Sequence, residues 1–67
     1  MEHFEQLLRE KIKNKFPQGL PSKERLVTFI ESLLSSDDDI IELGVPVWQQ
    51  TLIAYRVTRD IIREQRL

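Results

Sequence analysis

The chain has 67 residues, of which 40% are hydrophobic and 31% charged, with no cysteine and one histidine. A single domain of this length buries only about 60% of the surface that its unfolded chain exposes, and neither disulfides nor a His- or Cys-based zinc site can add stability here, so oligomerisation is the remaining route. Ten basic and eleven acidic side chains give a formal charge of -1, which excludes a global attraction to nucleic acid or anionic lipid.

The N-terminal segment predicts a first amphipathic helix over residues 2–15. Pro17 disfavours a helical conformation at the residue before it, and Gly19 permits a turn, so this helix should end there. Charged and apolar residues alternate without a continuous hydrophobic run, so we expect neither a signal peptide nor a membrane span, and therefore a cytoplasmic protein. The apolar residues recur at helical spacing, namely Phe4, Leu7, Leu8 and Ile12.

A second helix is predicted over residues 22–35. Ser22 is its expected N-cap, because a serine hydroxyl can accept a hydrogen bond from an otherwise unpaired backbone N–H of the first turn. Its apolar stripe is the predicted core face, formed by Leu26, Phe29, Ile30, Leu33 and Leu34.

The polar run Asp37–Asp39 follows the second helix. Aspartates cap helices and form turns better than they extend a helix, which predicts a short third helix over residues 38–43 with Ser36 or the first aspartate as its cap and Gly44 as its terminator. The alternative is that the second helix continues with a kink. The run lacks the alternating ligands of a calcium loop, so capping is its expected role.

The longest helical pattern covers residues 46–66, and Pro46 fits its first turn because the missing N–H would be unpaired there. Two rows of apolar side chains run along opposite sides, a wider perimeter than the ~100° stripe of an ordinary surface helix. The rows are Trp48, Leu52, Tyr55 and Ile62 on one side, and Ile53, Val57 and Ile61 on the other.

These patterns predict an all-α fold in one domain, residues 1–67. We expect a three- or four-helix bundle in which the first three helices pack on one side of the long helix and a second copy covers the other side in a homodimer. The pattern leaves open which row is core. We assign the row with Ile53, Val57 and Ile61 to the dimer interface and the side chains of Trp48, Leu52 and Tyr55 to partner binding, although Trp48 could instead plug the core.

Four arginines at intervals of three, four and three residues lie within about 80° of one face of the long helix, and we name them the arginine ridge: Arg56, Arg59, Arg63 and Arg66. The guanidinium group suits carboxylate and phosphate oxygens, so this ridge could bind an acidic partner, a phosphate backbone or the aspartates of a second copy. The alternative is a solvated face, because Asp60 and Glu64 lie within one turn of an arginine.

The segment Leu43-Gly44-Val45-Pro46 before a helix resembles the turn of a helix-turn-helix motif. The resemblance implies a recognition helix that begins at Val47. The three aspartates of the preceding segment would repel phosphates, which counts against DNA binding.

The sequence shows no nucleophile with a paired base, and His3 stands alone near a terminus, so we expect no enzyme, no cofactor and no small-molecule substrate. The predicted function is that of a small regulatory or adaptor protein that acts through helix-mediated protein–protein interaction. Its predicted partners are a second copy and another protein, with no membrane. The alternative is a dimeric nucleic-acid-binding regulator that uses the arginine ridge.

Overall fold

A computed structural model describes residues 2–65, which form four α-helices and no strand. The predicted all-α class is therefore confirmed. The long helix is shorter than the predicted residues 46–66. It ends at Glu64, and the N–H of Gln65, its C-cap, donates to the Ile61 carbonyl. Arg66, the last member of the arginine ridge, lies outside the described residues. The helices are α1 (Glu2–Lys15), α2 (Lys23–Ser36), α3 (Asp38–Glu42) and α4 (Val47–Glu64).

Local capping separates the second and third helices. The Ser22 hydroxyl accepts the Arg25 N–H at 3.3 Å at the start of α2, as predicted. Asp37 has an extended backbone, with ψ of 117°, which ends α2, and its carboxylate accepts the Ile40 N–H at 3.1 Å, which begins α3. The continuous kinked helix considered as an alternative is therefore not formed.

The core lies where α1, α2 and α4 meet, and α3 packs against α1 and α2. The prediction that the short helix α3 packs on the long helix α4 is wrong for the described residues, because α3 makes its contacts with α1 and α2. The buried apolar residues come from all four helices: Phe4, Leu8, Ile12, Leu26, Ile30, Leu33, Ile40, Ile53, Ala54 and Val57.

Two connections contain a glycine: the one between α1 and α2 and the one between α3 and α4. After α1, Phe16 folds back and its ring meets the Phe29 ring edge-on, with 5.5 Å between centroids. After α3, Gly44 has φ of +65°, a left-handed conformation that glycine adopts without strain. This turn leads directly to Pro46, the N-cap of α4, so the direction of the long helix is set at residues 44–46.

Candidate interaction surface

The outer side of α4 carries a row of exposed apolar side chains over its first turns. Val47 is 77% exposed, Trp48 63%, Leu52 62% and Tyr55 68%. We name these four residues the α4 apolar face. Because an aromatic side chain can bury about 150–250 Å², Trp48 and Tyr55 each leave roughly 100–150 Å² in solvent. Single exposed apolar residues are ordinary, but a continuous patch of this kind is typical of an interaction site.

The opposite row of α4 is packed inside its own chain. Ile53 and Val57 are buried, and Ile61 is half-buried against the same core. The sequence pattern assigned these three residues to a dimer interface, but the structure places them under α1 and α2, which pack on this side of α4. They therefore cannot serve as a separate docking surface in the folded chain. Trp48 lies on the exposed side, so it does not plug the core.

An open groove of about 840 Å³ runs between α2 and α4, beside the α4 apolar face. Its lining includes Val27 and Leu34 from α2 and Ala54 and Ile62 from α4, and Tyr55 belongs both to the groove and to the α4 apolar face. Val27 follows the buried Leu26 in α2, and it is 36% exposed where it lines this groove.

The arginine ridge is divided between an intramolecular contact and solvent. Arg56 donates a hydrogen bond to the Glu5 carboxylate of α1, so part of its charge is neutralised within the chain. The Arg59 Nε lies 3.6 Å from a carboxylate oxygen of the adjacent Asp60, and Arg63 makes no ion pair with the residues that the structure describes. Arg56 and Arg59 are therefore both about half exposed beside a carboxylate, and Arg63 is the described member of the ridge that has no ion pair.

The acidic residues of α4 point mainly toward α1. Arg9 has its Nη2 atom 3.5 Å from Asp60 and its Nη1 atom 3.7 Å from Glu64, and its Nε donates to Glu5 at 3.3 Å. Asp60 and Glu64 are the expected neutralising partners of the arginine ridge, but Arg9 contacts both of them, and Asp60 is shared between Arg9 and Arg59. The outer side of α4 consequently keeps a positive character although the whole chain is nearly neutral.

The aspartate run links α3 to α1. The Lys11 Nζ lies 3.1 Å from Asp37 and 3.0 Å from Asp39, so both carboxylates hold one ammonium group. Hydrogen bonds from Lys11 to Asp39 and Asp37 raise the pKa of Lys11. Burial alone would raise the pKa of Asp37, but the Ile40 N–H and Lys11 together lower it. Capping is therefore the structural role of Asp37, whereas Asp38 is exposed at the first turn of α3.

Within residues 2–65, no three His, Asp or Glu side chains come close enough together to hold a metal ion. None of the described helices is both long and apolar enough to cross a lipid bilayer. No protein-family model matches the chain, and comparison with curated proteins and with solved structures gives no match.

Proposed function

We propose that this chain is a non-enzymatic regulatory or adaptor protein that acts by docking the α4 apolar face onto another helical surface, including a second copy of itself. The observation that carries the proposal is the row Val47, Trp48, Leu52 and Tyr55, each more than 60% exposed on one helix. Removing such a row from water is favourable by about 25 cal/mol for each Å² of apolar area, so the exposed row favours association.

The surroundings of this face resemble the anatomy of protein interfaces. Exposed apolar side chains, two of them aromatic, form the face, and Arg59 and Arg63 border it as a charged rim, an arrangement in which the apolar centre supplies affinity and the rim supplies selectivity. We further propose that the protein works in the cytoplasm, and that this face and its rim bind either a second copy in a homodimer or another, acidic protein.

Sedimentation velocity across the micromolar range tests the proposal. The wild-type chain should show a mass that rises from monomer to dimer with concentration. Leu52→Glu should hold the chain at the monomer mass, because the substitution places a carboxylate in the α4 apolar face. Thr28→Glu is the matched control, since Thr28 is exposed on α2 away from the groove, and it should associate like the wild type. A wild-type chain that stays monomeric throughout this range would refute self-association.

The nucleic-acid alternative has a separate test. Binding to phosphates weakens steeply with salt in proportion to the phosphates neutralised, whereas docking through an apolar face depends little on salt. We expect no binding of duplex or single-stranded nucleic acid at low salt, because Arg56 and Arg59 each lie beside a carboxylate and only Arg63 of the described ridge has no ion pair. Salt-sensitive binding that disappears in Arg59→Ala/Arg63→Ala would instead support the alternative.

A further inference from the structure

We propose that the α4 apolar face pairs with the same face of a second copy in an antiparallel arrangement, with a two-fold axis passing beside residues 53–54. The inference rests on the proposed function and specifies its first partner. Its starting point is a symmetry in the exposed row of α4. The side chains at positions 48, 52, 55 and 59 follow at intervals of four, three and four, which read the same from either end of the helix.

The helix geometry turns this spacing into matched pairs. With 100° of rotation per residue, the four positions fall within about 60° of one another, so they form one narrow seam. An antiparallel pairing centred between residues 53 and 54 places Leu52 opposite the partner's Tyr55 and Trp48 opposite the partner's Arg59. Each pair occurs twice in the dimer, which is what a two-fold interface requires.

The chemistry of the seam favours this direction. Trp48 would offer its ring face to the guanidinium group of the partner's Arg59, a cation–π contact that strengthens as the pair loses water. Leu52 and Tyr55 would form the apolar centre. A parallel pairing would instead place Arg59 against Arg59 and Arg63 against Arg63, which brings like charges together.

The distribution of charge along the chain also favours antiparallel pairing. In the antiparallel register Arg63 would lie beyond the start of the partner's α4 at Val47, on the side from which the chain arrives from Glu42 and Asp38. Both acidic side chains are exposed, and neither makes an ion pair within the described residues, whereas Asp39 is held by Lys11. The basic C-terminal end of one α4 would therefore lie toward the acidic segment that precedes the partner's α4.

The exposed area sets the expected strength. Trp48 and Tyr55 contribute roughly 100–150 Å² each, and with Leu52 the apolar part of the seam amounts to about 300–400 Å² per copy, below the ~800 Å² per partner of a standard stable interface. A dissociation constant on the order of micromolar or weaker is therefore expected. Tyr55 and Arg59 also line the groove between α2 and α4, so this arrangement covers that edge of the groove.

Pulsed electron spin resonance on singly labelled chains tests the direction. The chain has no cysteine, so Thr51→Cys and Gln65→Cys each create one labelling site at an exposed position. In the antiparallel dimer the axial separation of equal positions grows by about 3 Å per residue from the axis, which gives about 8 Å for residue 51 and about 35 Å for residue 65. A parallel dimer would give equal short distances at both sites.

The outcomes separate the two proposals. A short distance at Thr51→Cys and a long one at Gln65→Cys support the antiparallel seam. Two short distances, or two long ones, overturn the seam and leave self-association intact. A wild-type chain that is monomeric by sedimentation overturns self-association itself.

Exchanging the charges of Arg63 and Glu42 tests the antiparallel pairing independently, through the dissociation constant of the dimer. Arg63→Glu and Glu42→Arg should each weaken the dimer, by roughly threefold to tenfold, because exposed rim pairs contribute little individually and each occurs twice. The double variant Arg63→Glu/Glu42→Arg should return to within about twofold of wild type, since it restores both pairs across the two-fold axis. Additive weakening in the double variant would overturn the predicted contact.

Discussion

Adjacent positions on α4 should respond very differently to the same truncation. Ile53 is 7% exposed and Leu52 is 62% exposed, although both are branched apolar residues of equal size. Ile53→Ala removes buried methyl groups and leaves a cavity, which costs about 2–5 kcal/mol in unfolding free energy. Only about a third of the Leu52 surface is buried in the monomer, so Leu52→Ala should lower the unfolding free energy by less than about 1 kcal/mol.

Thermal denaturation followed by circular dichroism measures this difference. For a domain of this size 1 kcal/mol shifts the midpoint by about 4–8 °C, so we expect a loss of about 8 °C or more for Ile53→Ala and of less than about 8 °C for Leu52→Ala. The experiment is carried out in dilute solution, where the dimer dissociates. If Ile53→Ala is unfolded at all temperatures, Ile53→Val, with an expected cost of about 0.5–1.5 kcal/mol, serves in its place.

The association of the same variants completes the test. Leu52→Ala should weaken self-association, whereas Ile53→Val should leave it unchanged. Equal losses of stability for Leu52→Ala and Ile53→Ala in dilute solution would refute the division of α4 into a core row and an exposed row. The α4 apolar face would then have no physical basis.

The cap at Ser22, the ion pair of Asp37 and the exposure of Trp48 each give a further prediction. Ser22→Ala removes the hydroxyl that caps α2 and should lower the unfolding free energy by about 1 kcal/mol, measured by urea denaturation. Because the pKa of Asp37 is lowered in the folded chain, its stabilising charge is fully effective above the ordinary carboxyl value of 3.8 and is lost as the pH falls further. The stability advantage of the wild type over Asp37→Asn, which keeps a capping side chain, should therefore vanish in acid titrations; an advantage that is unchanged at low pH would contradict the ion pair with Lys11. Trp48 is the single tryptophan and is 63% exposed, so its fluorescence should be quenched readily by iodide in dilute solution and less so as the dimer forms.

Local features of the fold were predictable because their causes are local. The cap at Ser22 depends on a side chain and the N–H groups of the next turn, so residue type and position were sufficient; for the third helix they left Ser36 and Asp37 as alternatives, and Asp37 is the cap. The left-handed turn at Gly44 and the restart at Pro46 depend on backbone sterics alone. For the same reason all four helices could be placed to within a few residues.

The assignment of faces on α4 could not be predicted, because both rows are equally apolar in sequence. The row with Ile53 becomes core only because α1 and α2 pack on that side, which is a long-range event. The contact of Arg9 with Asp60 is equally non-local, since it joins residues at opposite ends of the chain. Periodicity within one helix contains no information on either arrangement.

Asp37 contacts three helices, α1, α2 and α3, so local unfolding of one of them affects the others. Its backbone ends α2, its carboxylate begins α3, and the same carboxylate holds Lys11 of α1. Fraying of the short helix on its own would therefore break a contact with the first helix as well as its own cap. The amide protons of α3, despite its five residues, should consequently exchange with solvent in step with those of α1, as parts of one cooperative unit.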